Sequence, residues 1–124
     1  MSKEIDNLFS QAQSDLQKAQ ILFNNDSLDG AAFFCQQSVE KALKALLIKK
    51  TDEFSKIHDI VALSRMVKAP DDIIGKCKII NPYYTETRYP DYSERIPAES
   101  FSRNEIDEVL TLSDEVIKWV KSLI

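Results

Sequence analysis

The chain of 124 residues is 44% apolar and 29% charged with a net charge of −4, which is too short for two ordinary domains and too apolar for a disordered segment. A globular chain of this size buries roughly two-thirds of its unfolded surface, so one domain over residues 1–124 can form a core without disulfide or metal staples. The start, Met1-Ser2-Lys3-Glu4-Ile5-Asp6, has no apolar targeting region, and no stretch approaches the ~18 uninterrupted apolar residues of a membrane span, so a cytoplasmic protein without membrane contact is expected.

Two glycines and four prolines leave few places for hairpins, and the apolar residues recur at helical spacing, so the fold class is expected to be all-α. Ile5, Leu8, Phe9, Ala12, Leu16, Ala19 and Phe23 predict a first helix over about 3–24, closed by Asn24-Asn25-Asp26-Ser27. A second, about 28–50, carries Ala31, Phe34, Cys35, Val39, Ala42, Leu43, Leu46 and Leu47 on one side, with Gln37, Lys41, Lys44 and Lys49 on another. Two such helices joined by a short loop must pack antiparallel to cover their apolar stripes. A short third helix over about 58–67 follows from Ile60, Leu63 and Val67. Pro70 suits the first position of a fourth, with Asp71 and Asp72 placed where acids favour the helix dipole and Ile73, Cys77 and Ile80 facing inward. Pro82 must kink or end it, although Tyr83, Tyr84 and Thr85 can continue beyond the kink. Residues 89–101, with two prolines and no helical period, form one long loop before the last helix. That helix opens on Ser102-Arg103-Asn104-Glu105, a capping box, and runs to the end through Val109, Val116 and Leu123.

Cys35 and Cys77 lie in apolar runs outside any CxxC pair, which predicts two reduced, buried thiols in a reducing compartment. Residues 41–78 hold nine basic and five acidic side chains, so this segment is +4 and the remainder −8. It reads either as a face that attracts anions or as a solvated lysine-rich surface. His58, the sole histidine, stands before Asp59 at the start of the third helix, where it can orient that helix or transfer a proton. One histidine and two core cysteines offer no metal-ligand spacing. Thr87-Arg88-Tyr89-Pro90-Asp91 gathers a guanidinium, a phenol and a carboxylate. Arg88 can grip phosphate and Tyr89 can stack on a base; Arg88 can also pair with Asp91 or Glu86 and simply fix the loop. Arg95 can add a second positive group. On the second helix Gln37, Lys41, Lys44 and Ile48 share a stripe, with Glu40 placed to pair with Lys44 at i,i+4. If the third helix folds back onto the C-terminal half of the second, His58, the lysines and Arg88 share one electropositive cleft. No glycine-rich phosphate loop, GxSxG, HExxH or paired-carboxylate motif is present.

Three blocks in order, Gln36-Gln37-Ser38-Val39-Glu40-Lys41-Ala42-Leu43-Lys44-Ala45-Leu46-Leu47, His58-Asp59-Ile60 and Tyr84-Thr85-Glu86-Thr87-Arg88-Tyr89-Pro90-Asp91, resemble the prokaryotic HEPN domain (higher eukaryotes and prokaryotes nucleotide-binding) over about residues 6–123. The resemblance implies an up-and-down bundle of four to five helices, a homodimer, a minimal nucleotidyltransferase as partner and a place in toxin–antitoxin or defence systems, with no cofactor. Many such domains are metal-independent RNases that use an Arg-polar-x3–4-His motif at the dimer interface. Here the nearest match runs from Arg103-Asn104 to Glu108, with Glu108 where the histidine stands in the motif. The expectation is therefore a non-catalytic module that binds nucleotide, RNA or the nucleotidyltransferase through Lys41, Lys44, His58, Arg88, Tyr89 and Asp91. Two alternatives stand beside it. One is an RNase with His58 as general acid–base and Arg88 stabilising the phosphorane-like charge; the other is a purely structural interaction protein without a ligand.

Overall fold

A computed structural model describes residues 2–88 and 96–124. Helix α1 (Lys3–Asn24) begins at Ser2, whose hydroxyl accepts from the Ile5 amide at 3.2 Å, and buries Ile5, Phe9, Ala12, Ala19 and Phe23. A tight turn through Asp26, at φ 61°, is closed by the Ser27 amide donating to Leu22 O at 2.8 Å. It reverses the chain into α2 (Leu28–Thr51), which ends on Asp52 in the left-handed conformation. These two boundaries fall where the apolar period and the Asn-Asn-Asp-Ser turn place them.

Helix α2 differs from the expected two-faced helix. It is the axis of the bundle, against which every other helix packs, and it is buried around most of its circumference. Lys44, expected on the polar side, is only 6% exposed, and Gln36, Ser38 and Glu40 are buried with it. A helix surrounded by neighbours must find polar partners for such residues inside the protein. Ser38 does so by donating to Ala12 O at 2.6 Å, across the α1–α2 seam.

Helix α3 (Ile60–Met66) starts later than the predicted residue 58, because Asp59 is its cap: one carboxylate oxygen accepts from the amides of Val61 and Ala62 at 3.0 and 3.1 Å. His58 is thus left outside the helix. Helix α4 (Asp71–Ile80) follows Pro70, which is the cap and not the first helical residue, and buries Ile73, Cys77 and Ile80. Pro82 bends the helix without stopping it, since Asn81 and Pro82 stay in right-handed helical conformation and the chain continues into α5 (Tyr83–Glu86). The missing amide of Pro82 removes one rung of the ladder, as expected of an internal proline. Of the long loop, residues 96–101 contain a 3-10 turn at Pro97–Glu99 that packs on α2.

The last helix, α6 (Arg103–Leu123), opens on the predicted capping box, with Glu105 N donating to Ser102 Oγ at 3.1 Å and Ser102 N to Glu105 at 3.4 Å. Arg103 has a structural role, although half its side chain is exposed. It donates to Phe23 O at 3.1 Å, pairs with Asp26 at 2.6 Å and lies over the Phe23 ring, tying the start of α6 to the α1–α2 turn.

Both cysteines are buried and free. Burial pushes each thiol up to about 12. Among the described residues no helix is long and apolar enough to cross a membrane.

Candidate functional site

One polar stripe on α2 organises the site. Gln36, Glu40 and Lys44 are spaced four apart, so they line up along the helix. Lys44 Nζ donates to Glu40 at 2.9 Å, the pair expected from the sequence, and both side chains are about 7% exposed. Glu40 also receives His58 Nδ1 at 3.0 Å and Gln36 Nε2 at 3.3 Å. Gln36 Nε2 lies 3.0 Å from His58 O as well, which anchors the histidine backbone on the same helix. A buried carboxylate with a lysine against it is an acceptor only, so the Nδ1 that faces it carries the proton. The other ring nitrogen, Nε2, belongs to a side chain that is 53% exposed. Glu40 therefore fixes both tautomer and orientation of an imidazole whose free edge meets solvent.

The bent helix supplies the rest. Asn81, at the bend, accepts from the Ile60 amide at 3.0 Å and donates to Asp59 at 3.1 Å, which locks the start of α3 against the end of α4. Beyond Pro82 the next two residues diverge. Tyr83 is buried against Phe101, with its hydroxyl on Glu105; desolvation, then that carboxylate, raises its ionisation well above the phenol range. Tyr84 lies parallel to His58, with ring centroids 4.8 Å apart and 14° between planes. Arg88, one turn further on, places its guanidinium carbon 4.8 Å from the Tyr84 ring centre. His58, Tyr84 and Arg88 thus form one continuous stack, drawn from the α2–α3 segment and the end of the bent helix, with Glu40 of α2 on the edge of the His58 ring.

Of the residues singled out in the sequence, Lys44, His58 and Arg88 come together. Lys41 does not join them: its Nζ donates at 2.6 Å to Asp15 on α1, a carboxylate that is itself 2% exposed. Tyr89, Asp91 and Arg95 lie outside the described residues. The predicted basic face is also partly cancelled from within. Lys41 and Lys44 face carboxylates, Lys50 donates to Val67 O at 2.6 Å, and Lys76 lies 3.9 Å from both Asp72 and Glu115. The site is accordingly a histidine and an arginine arrayed on an aromatic spacer, with the lysine beneath held by its own carboxylate.

Sequence reasoning missed Glu40 as the partner of His58, Gln36 as the backbone anchor and Tyr84 as the spacer. A signal existed for the first two. Gln36, Glu40 and Lys44 repeat every fourth residue along one line of a helix rich in Ala and Leu, and polar groups at that spacing can share a partner.

The model of the HEPN domain family matches residues 5–123. A protein of Methanocaldococcus jannaschii named "Putative toxin MJ1304" is 26% identical, the match covering 91% of this chain and 83% of that one. Among solved structures, TT1696 of Thermus thermophilus superposes with a TM-score of 0.92 at 27% identity, over 99% of this chain and all of the other. ST0689, an archaeal HEPN homologue, gives 0.85 at 31% identity and 98% of each chain. The HEPN domain protein TM0613 of Thermotoga maritima shares the fold at 0.75 and 18% identity, over 94% of this chain and 96% of that one.

Proposed function

The chain belongs to the HEPN domain family, and from that premise we propose that it is a small module of a toxin-type system that binds the phosphates of a nucleotide or of RNA at His58, Tyr84 and Arg88. The observation that carries this reading is the stack itself. An arginine presents a planar fork of donors matched to phosphate oxygens, and the Nε2 edge of His58, held outward by Glu40, adds a donor when protonated. The similarity to a protein named as a toxin supports the setting. Pairing into a homodimer and docking of a minimal nucleotidyltransferase belong to the same reading, as does a place in the cytoplasm.

The test is a thermal-shift titration at low salt with ATP, GTP, CTP, UTP and a short single-stranded RNA, followed by a gel of the recovered RNA. A ligand at ~100 times its dissociation constant stabilises the fold by about 2.7 kcal/mol, a shift of several degrees for this size. The shift is expected to vanish in Arg88→Ala while the variant still unfolds cooperatively. Wild-type protein that responds to none of these ligands would refute the reading and leave the nucleotidyltransferase as the partner to test by co-purification.

The Glu40–His58 contact favours one second reading, an RNase without the family's usual motif. A carboxylate-oriented imidazole with a guanidinium on the far side of one aromatic ring could take a proton from a ribose 2′-hydroxyl while the arginine meets the charge that builds on the phosphate. Cleaved RNA on the gel, lost in His58→Gln, is the result that would establish it.

A further inference from the structure

The α2–α3 segment carries a large aromatic residue that the fold leaves uncovered. Phe54 is 58% exposed, four residues before His58. Its ring centre lies 5.5 Å from Lys44 Nζ, the ammonium that shares Glu40 with His58. Phe54 and the stack are therefore linked through two side chains of α2. The ring also forms one wall of an open groove of about 370 Å³ completed by Ile48, Leu8, Asn7 and Glu4. The groove thus offers an aromatic face, two aliphatic side chains, an amide and a carboxylate. Lys56, exposed and without an ion pair among the described residues, lies between Phe54 and His58 in the chain.

We propose that this groove is a nucleobase subsite in which Phe54 stacks on the base of a ligand whose phosphate sits at His58 and Arg88. The inference rests on the phosphate-binding reading and extends it to the base. An exposed ring beside a cation is a platform for an unpaired base, and each stacked base contributes a sequence-tolerant share of affinity. The polar end adds a preference. A carboxylate accepts from an exocyclic amine, and an amide can pair with the amino edge of adenine. Glu4 and Asn7 therefore favour adenine or cytosine over uracil, whose edge presents carbonyls to Glu4.

The test uses Phe54→Trp in a Trp119→Phe background, which places the sole tryptophan in the groove, together with Phe54→Ala in the native chain. Each is titrated with short oligoadenylate, short oligouridylate and ribose 5-phosphate. Oligoadenylate is expected to quench the tryptophan and to bind more tightly than oligouridylate. Phe54→Ala is expected to weaken oligoadenylate binding by roughly 5- to 100-fold and to leave ribose 5-phosphate binding unchanged. Equal affinity of wild type and Phe54→Ala for oligoadenylate, with no quenching, would overturn the subsite while the phosphate site stands. Binding of none of the three ligands to wild type would overturn both. Tryptophan emission that shifts with protein concentration alone would overturn the subsite by showing that a second copy covers the groove.

Discussion

Glu40 holds three donors in a nearly dry environment, so removing its charge should be costly in a way that a second substitution can cancel. In Glu40→Gln the side chain keeps its shape and can still accept from His58 and Gln36, but Lys44, 6% exposed, loses the carboxylate 2.9 Å from its ammonium. Breaking a buried pair from one side costs about 3–5 kcal/mol. Because Lys44 can turn toward the exposed Phe54 face, the low end, ~3 kcal/mol, is expected. For a domain of this size that is a loss of roughly 10 °C in melting temperature, and a large part of a total stability of ~5–15 kcal/mol. Lys44→Met alone leaves Glu40 with His58 and Gln36 still donating, and should cost less. The double variant Glu40→Gln/Lys44→Met has no stranded ammonium and should recover most of the loss, since replacing a buried pair outright is often near neutral. Urea unfolding followed by circular dichroism gives the four free energies. A coupling energy of at least ~1.5 kcal/mol is expected for groups in direct contact; additivity within ~0.5 kcal/mol would refute the idea that the two charges are held as a buried unit.

Three further outcomes follow from the geometry. The thiols of Cys35 and Cys77 are raised from about 9 to about 12 by burial, so the fold favours their protonated forms. Their contribution is complete below pH 9 and is lost as pH rises toward 12, and the urea midpoint should fall over that window less steeply in Cys35→Ala/Cys77→Ala; parallel curves for the two proteins would exclude the thiols as the cause. Asn81→Ala leaves the Ile60 amide without its acceptor and unlatches Asp59, which should cost ~1–3 kcal/mol and weaken ligand binding by displacing His58 from Tyr84; unchanged affinity in a folded variant would show that the latch does not position the site. Asp52 closes α2 at φ 64°, a conformation that glycine adopts without strain, and it sets a negative charge at the negative end of the helix dipole. Asp52→Gly should therefore raise stability by ~0.5–1 kcal/mol, read as a higher melting temperature.

What could be read from the sequence was whatever depends on neighbours along the chain. The α1 boundaries, the Ser102–Glu105 box, the bend at Pro82 and the Glu40–Lys44 pair are all settled within one or two turns of helix, where spacing alone decides contact. The pairing of Glu40 with His58 and of His58 with Tyr84 joins residues 18 and 26 apart in the chain, and no period encodes which faces meet. Lys41 and Lys44 illustrate the difference: they are three residues apart and alike in type, yet one turns to Asp15 on α1 and the other to Glu40, because α1 covers one side of α2 and the α2–α3 segment covers another. Asp15 looks like a surface residue in sequence, yet it is buried in the α1–α2 seam, where Lys41 of the next helix and Gln11 of its own both donate to it.

The polar groups of α2 also solve a problem of alignment. Much of that helix is Ala, Leu, Val and Ile, whose apolar contacts are less directional than a hydrogen bond and so fix the height of a partner less sharply. Ser38 on the carbonyl of Ala12, Lys41 on Asp15 and Gln36 on the carbonyl of His58 fix it more sharply. Each contact is a tooth that engages a neighbour at one height only, two for α1 and one for the segment that bears the histidine. Such teeth are hard to exchange singly. A change at Lys41 leaves Asp15, 2% exposed, with Gln11 as its one close donor, and a change at Gln36 removes the bond that holds the His58 backbone, so substitutions along this helix are expected to be tolerated best in matched pairs.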